Sequence, residues 1–235
     1  MTAVPEVVGE AGLRIIDCDQ RSPEWYAARC GIVTASVVGK LITPRTVKVA
    51  SNPDSRGLIE FLAAERVTGY VEDTYTSVDM WRGIDAEPYA RDLYSGHHAE
   101  AVECGFMVRD FGGFKIGYSP DGLVGSDGLI EIKAPRQKTH LATVIADEVP
   151  LHYMAQCQAG LLVSGRKWID FVSYCGGMPL WVKRVLPDPK WQAATREAAE
   201  VAEKAITEAV ANYMQAVADL PPTERIDFNA VELKL

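Results

Sequence analysis

The order of periodicities along this chain predicts an α/β fold. Three observations carry that reading: a run of well-capped helices at the start, a block of short strands punctuated by glycine over 100–134, and then helices, two strands and a long Ala/Glu-rich helix. Ser22-Pro23-Glu24 gives a cap, a proline at the first helical position and an acid in the first turn, predicting a helix to about Cys30 that stops at Gly31. Thr34 caps a second short helix through Leu41, and 44–53 is a basic, proline-containing loop. A helix follows near 54–68, with Leu58, Ile59, Leu62 and Ala63 as its buried stripe. Ser77 caps another helix to about Tyr94, kinked by Pro88. Strands are expected at 100–109, 113–118, 121–125 and 129–134, helices near 138–147 and 150–163, and two further strands at Lys167–Tyr174 and Leu180–Leu186. A helix from Pro189 to about Leu220 carries Trp191, Ala194, Ala198, Val201, Ala205, Ile206, Val210, Tyr213 and Met214 as its apolar positions.

The bulk numbers narrow the function classes. A chain of 235 residues builds one domain with a sizeable core, so 1–235 is read as a single unit with a core over about 20–186. No apolar run reaches the roughly 20 residues of a membrane span, and the N-terminus reads as lacking a secretory signal. Five cysteines form no C-x-x-C pair, which points to reduced thiols in the cytoplasm and away from zinc or iron–sulfur clusters. His97-His98 reads as a solvated turn. The net charge of −8 argues against a broad nucleic-acid surface but leaves room for a basic groove, for which Lys40, Arg45, Lys48, Lys133, Arg136 and Lys138 are the nearest cations.

The stretch that carries chemistry is Ser119-Pro120-Asp121-Gly122, followed by Glu131-Ile132-Lys133. Side chains alternate along a strand, so Glu131 and Lys133 share one face while Ile130 and Ile132 enter a core on the other. Carboxylates can hold a hard divalent cation, and an ammonium can position an attacking water. An E-x-K triplet is also a common solvated face. A four-residue loop at 125–128 would pair Asp121 with Ile132 and point it to the wrong side. The site therefore requires an odd-length loop, a bulge or a bend near Pro120 and Gly122.

Four segments together resemble one family. Trp25-Tyr26-Ala27-Ala28-Arg29-Cys30-Gly31-Ile32-Val33-Thr34-Ala35-Ser36, Gly83-Ile84-Asp85-Ala86-Glu87, the Ser119–Lys133 core and Tyr153-Met154-Ala155-Gln156-Cys157-Gln158 are similar, in order and spacing, to the motifs of the lambda-exonuclease and YqaJ-type viral recombination exonucleases. Those enzymes lie within the PD-(D/E)XK (restriction-endonuclease-like) nuclease superfamily. The resemblance implies a central mixed sheet flanked by helices and a 5′→3′ exonuclease acting on duplex DNA ends. It implies Asp121, Glu131 and the Ile132 carbonyl as ligands of Mg²⁺, for which Mn²⁺ can substitute, with Glu87 aiding a second ion. Lys133 is then the water-aligning group, Gln156 its support, and Arg29, Ser36 and Ser119 the pocket for the 5′-phosphate.

The same resemblance implies a homotrimeric ring, a single-strand annealing protein as partner, and a phage or prophage gene expressed in the bacterial cytoplasm. Two other readings stay open at this stage: a PD-(D/E)XK endonuclease of restriction or repair type, and a non-enzymatic DNA-binding assembly protein. Each site residue has an ordinary alternative: Glu87 as a solvated helix residue, Arg29 as a complement to the helix dipole, Gln156 as a polar face, Ser36 as a helix hydroxyl.

Overall fold

The structure is a computed structural model that describes residues 12–72 and 77–225 and the backbone of 6–8. The ends of the single-unit reading, and the reading of a missing secretory signal, lie largely outside these residues. In chain order the elements are β1 (Glu6–Val8), β2 (Leu13–Ile16), α1 (Pro23–Arg29), β3 (Val33–Thr34), a 3-10 turn (Val38–Leu41), β4 (Ile42–Thr43), β5 (Lys48–Val49), α2 (Pro53–Thr68) and α3 (Val78–His97). Then come β6 (Ala101–Val102), β7 (Phe106–Asp110), β8 (Lys115–Tyr118), β9 (Gly122–Val124), β10 (Gly128–Lys133), α4 (Gln137–Ala146), α5 (Leu151–Ser164), β11 (Trp168–Ser173), β12 (Trp181–Val185) and α6 (Pro189–Ala216).

The α/β reading holds, with the strands divided between two five-stranded mixed sheets rather than gathered in one. One runs β1-β2-β7-β8-β3, the other β12-β11-β10-β9-β6, and β4 pairs with β5. The stretch 100–109 is two strands in different sheets. Gly105 lies at the break, where a Cβ would sit 2.1 Å from the Ile16 carbonyl oxygen, so only glycine lets the backbones approach.

Four of the six helices described start for a local reason. Ser22, Asn52, Ser77 and Asp188 cap α1, α2, α3 and α6 through their side chains, and Asn52 forms a reciprocal capping box with Ser55. The helix expected from Thr34 is absent. Val33 and Thr34 are β-branched, and they pair in parallel with Ile116 and Gly117 of β8 instead. The short helical turn that follows has no side-chain cap.

The pair that positions the site is buried on both faces. β10 and β11 run parallel, connected through α4 and α5. On one side of β10, Leu129 joins the main core with Tyr118, Ala155, Leu161, Ile169, Phe171 and Trp191. On the other, Ile130 and Ile132 pack with Ala90 and Tyr94 of α3, Val124 and Val172. Such a strand is apolar on both faces except where chemistry replaces a core residue. Helix α6 packs its Trp191–Ile206 segment on the domain itself, but Val201, Tyr213 and Met214 of the expected stripe are 46%, 49% and 57% exposed. No helix among the described residues is long and apolar enough to cross a membrane, and all five cysteines are free thiols.

Candidate active site

The site begins with the parity of one hairpin. β9 and β10 pair Gly128 with Val124, Leu129 with Leu123 and Ile130 with Gly122, which leaves 125–127 as the loop. The odd length places Asp121 opposite Glu131, not Ile132. Gly125, at φ +52°, supplies the left-handed position of that turn. Arg166 donates to the carbonyls of Gly125 (2.9 Å) and Gly128 (2.7 Å), holding both ends of the loop. The Ile132 N–H then donates to Asp121 Oδ2 at 2.6 Å.

Glu131 replaces a core residue and is 1% exposed. Its Oε1 accepts from Lys133 Nζ at 2.6 Å and from Gln156 Nε2 at 2.5 Å, and the Tyr118 hydroxyl donates to Oε2 at 3.3 Å. A buried charge with that many donors has one orientation. Lys133 also lies 5.5 Å from the centre of the Tyr153 ring. Burial acts to lower the Lys133 pKa, but Glu131 and Asp121 outweigh it and hold the ammonium above the ordinary lysine range. Asp121 is driven well above the usual carboxylate value by burial first and by the charge of Glu131 next, against Lys133 and the Ile132 N–H.

Glu87 comes from α3, with its carboxylate bonded to Arg91 Nη2. Burial raises its pKa, Arg91 and Arg21 oppose that, and Glu103 and Glu131 add to it.

The opposite wall is built by α1 and the turn after it. Trp25 Nε1 donates to Ser119 Oγ at 2.7 Å, and the Arg29 guanidinium lies 4.1 Å over the Trp25 ring. Ser36 Oγ is 3.0 Å from Thr34 Oγ1. The end of α1 is fixed by a grip on the Gly31 peptide: Glu65 accepts from its N–H at 2.7 Å and Arg66 donates to its carbonyl at 2.8 Å. Arg66 in turn forms a two-pronged ion pair with Glu203 of α6 at 2.7 and 2.6 Å. Gly31 stands at φ +65°, and a Cβ there would meet Arg66 Cγ at 2.4 Å.

One groove of about 1700 Å³ brings together all nine side chains singled out in the sequence: Arg29, Ser36, Glu87, Ser119, Asp121, Glu131, Ile132, Lys133 and Gln156. Of the expected cations, Lys40 and Arg136 line it, joined by Arg21 and Arg82, whereas Arg45, Lys48 and Lys138 do not. The sequence reading missed three contributors. Arg91 was signalled by its i,i+4 spacing from Glu87; Tyr118 and Glu65 carry no local signal and are set by tertiary packing.

The donor set suits a hard divalent ion. Asp121 gives only one oxygen to Ile132, and Glu131 and the Ile132 backbone stand beside it. Among the described residues no three Asp, Glu, His or Cys side chains form a complete cage. Magnesium asks for less, since one or two carboxylates with water and phosphate oxygens suffice.

Residues 24–167 match the YqaJ-like viral recombinase domain. Among solved structures, the chain is similar to an alkaline exonuclease from Laribacter hongkongensis, at 30% identity over 85% of this chain and 100% of that one, with a TM-score of 0.76. The same enzyme in complex with dAMP gives 0.75 at the same identity and coverage. A phage related exonuclease from Haemophilus somnus 129PT shares the fold, at 14% identity and a TM-score of 0.61 over 77% of this chain and 96% of that one. Among curated proteins none matches. With the quoted motifs met in one groove and the fold of the Laribacter exonuclease reproduced over most of the length, the chain belongs to the YqaJ-like viral recombinase family.

Proposed function

We propose that the chain is a Mg²⁺-dependent exonuclease that enters linear duplex DNA at an end, degrades one strand 5′→3′ and leaves a 3′ overhang for phage-type recombination. The observation that carries this reading is the groove itself. An acidic, lysine-bearing strand faces an arginine–tryptophan–serine wall across it. The first is equipped for hydrolysis and the second for holding a phosphate.

Asp121, Glu131 and the Ile132 carbonyl would hold the ion, with Glu87 serving a second. Bound there, the cation lowers the pKa of water and neutralises charge on the leaving oxygen. Lys133, kept protonated by Glu131 and Asp121, directs its N–H groups at the attacking water rather than acting as the base. Gln156 and Tyr118 fix the Glu131 carboxylate together with Lys133. On the other wall, Trp25 stacks under Arg29 and orients its planar fork for two parallel bonds to a 5′-phosphate. Ser119 accepts from Trp25, which leaves its own O–H to donate to the same phosphate. Ser36 completes the pocket.

With a net charge of −8, the chain offers DNA little open cationic surface. A trimeric ring that turns the groove cations inward supplies the missing retention by topology. In this reading the whole chain is one nuclease unit, it hands its single strand to an annealing protein, and it works in the cytoplasm of a bacterial host.

The deciding experiment uses end-labelled linear duplex with 5′-phosphate or 5′-hydroxyl ends, in Mg²⁺ and in EDTA, beside a closed circular duplex. Release of nucleotides from the phosphorylated linear strand, in Mg²⁺ alone, is the expected result. Cleavage of the closed circle would replace this reading with an endonuclease, and no cation-dependent release would remove the enzyme reading. Light scattering tests the ring: a mass near 25.7 kDa across micromolar concentrations would exclude it.

A further inference from the structure

We infer that Arg91 is a positioning residue that fixes the spacing between the two acidic limbs of the site. The inference rests on the nuclease reading. Glu87 stands on α3, whereas Asp121 stands at the turn before β9, and no strand pairing joins the two elements. One guanidinium spans the gap. Arg91 Nε donates to the Asp121 backbone carbonyl at 2.7 Å, Nη2 to Glu87, and Nη1 to Glu103 in the segment between β6 and β7.

The side chain is 10% exposed and does not line the groove. It lies behind the site, out of reach of a strand bound there. Its action must therefore pass through the groups it holds. Asp121 is clamped at two points, its carboxylate by the Ile132 N–H and its peptide by Arg91. Loss of the second clamp frees the peptide to rotate and, in the same step, releases Glu87 from its partner.

The residue type follows from this geometry. Three acceptors from three segments converge on one side chain, and only the rigid planar fork of arginine serves them together. Lysine keeps the charge but presents a single nitrogen on a flexible stem. The Glu103 arm differs from the other two: that carboxylate is 74% exposed and does not line the groove. It anchors the guanidinium from outside the groove and reaches Glu87 only through its charge.

The test compares Arg91→Lys, Arg91→Met and Glu103→Gln with the wild type by calorimetric titration with Ca²⁺, by kcat and KM on linear duplex in Mg²⁺, and by thermal unfolding. Groups that orient metal ligands contribute about 10–100-fold to affinity or activity. Arg91→Lys and Arg91→Met should each weaken Ca²⁺ binding about 10-fold and lower kcat about 100-fold, with KM for DNA unchanged. Glu103→Gln should leave both within about threefold, the weight of a single exposed ion pair.

Wild-type Ca²⁺ affinity and kcat in Arg91→Lys would overturn the inference. So would a rise in KM that accounts for the loss, an equal loss in Glu103→Gln, or failure of both Arg91 variants to fold, since Arg91 would then hold the fold and not the site. A wild type that neither binds Ca²⁺ nor releases nucleotides would instead remove the nuclease reading beneath it.

Discussion

Asp121→Asn should make the metal-free protein more stable while abolishing hydrolysis. The asparagine keeps an oxygen for the Ile132 N–H, so the one strong bond that holds the side chain survives. What disappears is a charge in a crowded place. An uncompensated buried charge costs about 3–5 kcal/mol. Lys133 and the Ile132 N–H offset part of that for Asp121, while Glu131 and Glu87 add to it, leaving about 1–2 kcal/mol to be regained. In a chain of this size that corresponds to a rise in Tm of about 2–8 °C.

The pH dependence has a definite sign. A raised carboxylate pKa means that the folded state binds the proton more tightly than the unfolded chain. Below the unfolded value, near 3.9 for aspartate, both states are protonated and Asp121 costs nothing. The cost grows as pH rises from there and is complete only above the elevated folded value. The advantage of Asp121→Asn should thus be full in mild alkali and fade toward pH 4. Added Mg²⁺ should raise the Tm of the wild type and leave the variant unmoved. The assay is thermal unfolding across pH with and without the ion, beside nucleotide release. A variant less stable than wild type in EDTA at pH 8, or an advantage that persists unchanged at pH 4, would refute the electrostatic argument.

Three other outcomes follow from the same geometry. Lys133→Met should abolish nucleotide release and destabilise the protein by about 3 kcal/mol in urea unfolding at neutral pH, because it strips the cation from a buried pair; an active variant would exclude Lys133 from the chemistry. Arg29→Ala should remove most of the preference for 5′-phosphorylated over 5′-hydroxyl ends while leaving Ca²⁺ affinity unchanged, which competition between the two substrates measures. Gly128→Ala places a methyl 2.1 Å from the Trp168 ring inside the paired strands, and should cost about 1–3 kcal/mol of stability by denaturant titration; a neutral result would mean that Trp168 swings aside freely.

The sequence made the catalytic hairpin legible because chemistry and strand periodicity disagree there. Alternation alone put Glu131 with Lys133 and away from Ile132, and parity required an odd-length loop, a bulge or a bend in the hairpin after Asp121; the three-residue 125–127 loop is the first of these. The caps Ser22 and Ser77 were equally readable, since each acts on its own first turn, whereas Asn52 and Asp188, which act in the same way, were not singled out. Thr34 was misread because its partner, Gly117, lies more than eighty residues away, and cross-strand pairing outweighs a local capping preference. The division into two sheets was hidden for the same reason: the 100–109 run looks continuous until Gly105 is seen pressed against Ile16. In α6, Tyr213 and Met214 follow the helical stripe beyond the point where there is a core to receive it. Tyr118 and Glu65 could not be found at all, as their roles arise only when distant segments meet.

The grip on the Gly31 peptide has a consequence for how the protein comes into being. Arg66 holds the turn behind Arg29, and Glu203 holds Arg66, so the wall that carries Arg29 is braced by a residue 137 positions beyond Arg66. Synthesis runs from the N-terminus. A nascent chain that has made Asp121, Glu131 and Lys133 already possesses the acidic strand but has no α6 to steady the wall opposite it. Fragments that stop before α6 should therefore carry both the acidic strand and Arg29 but lack the ion pair that steadies the turn behind Arg29.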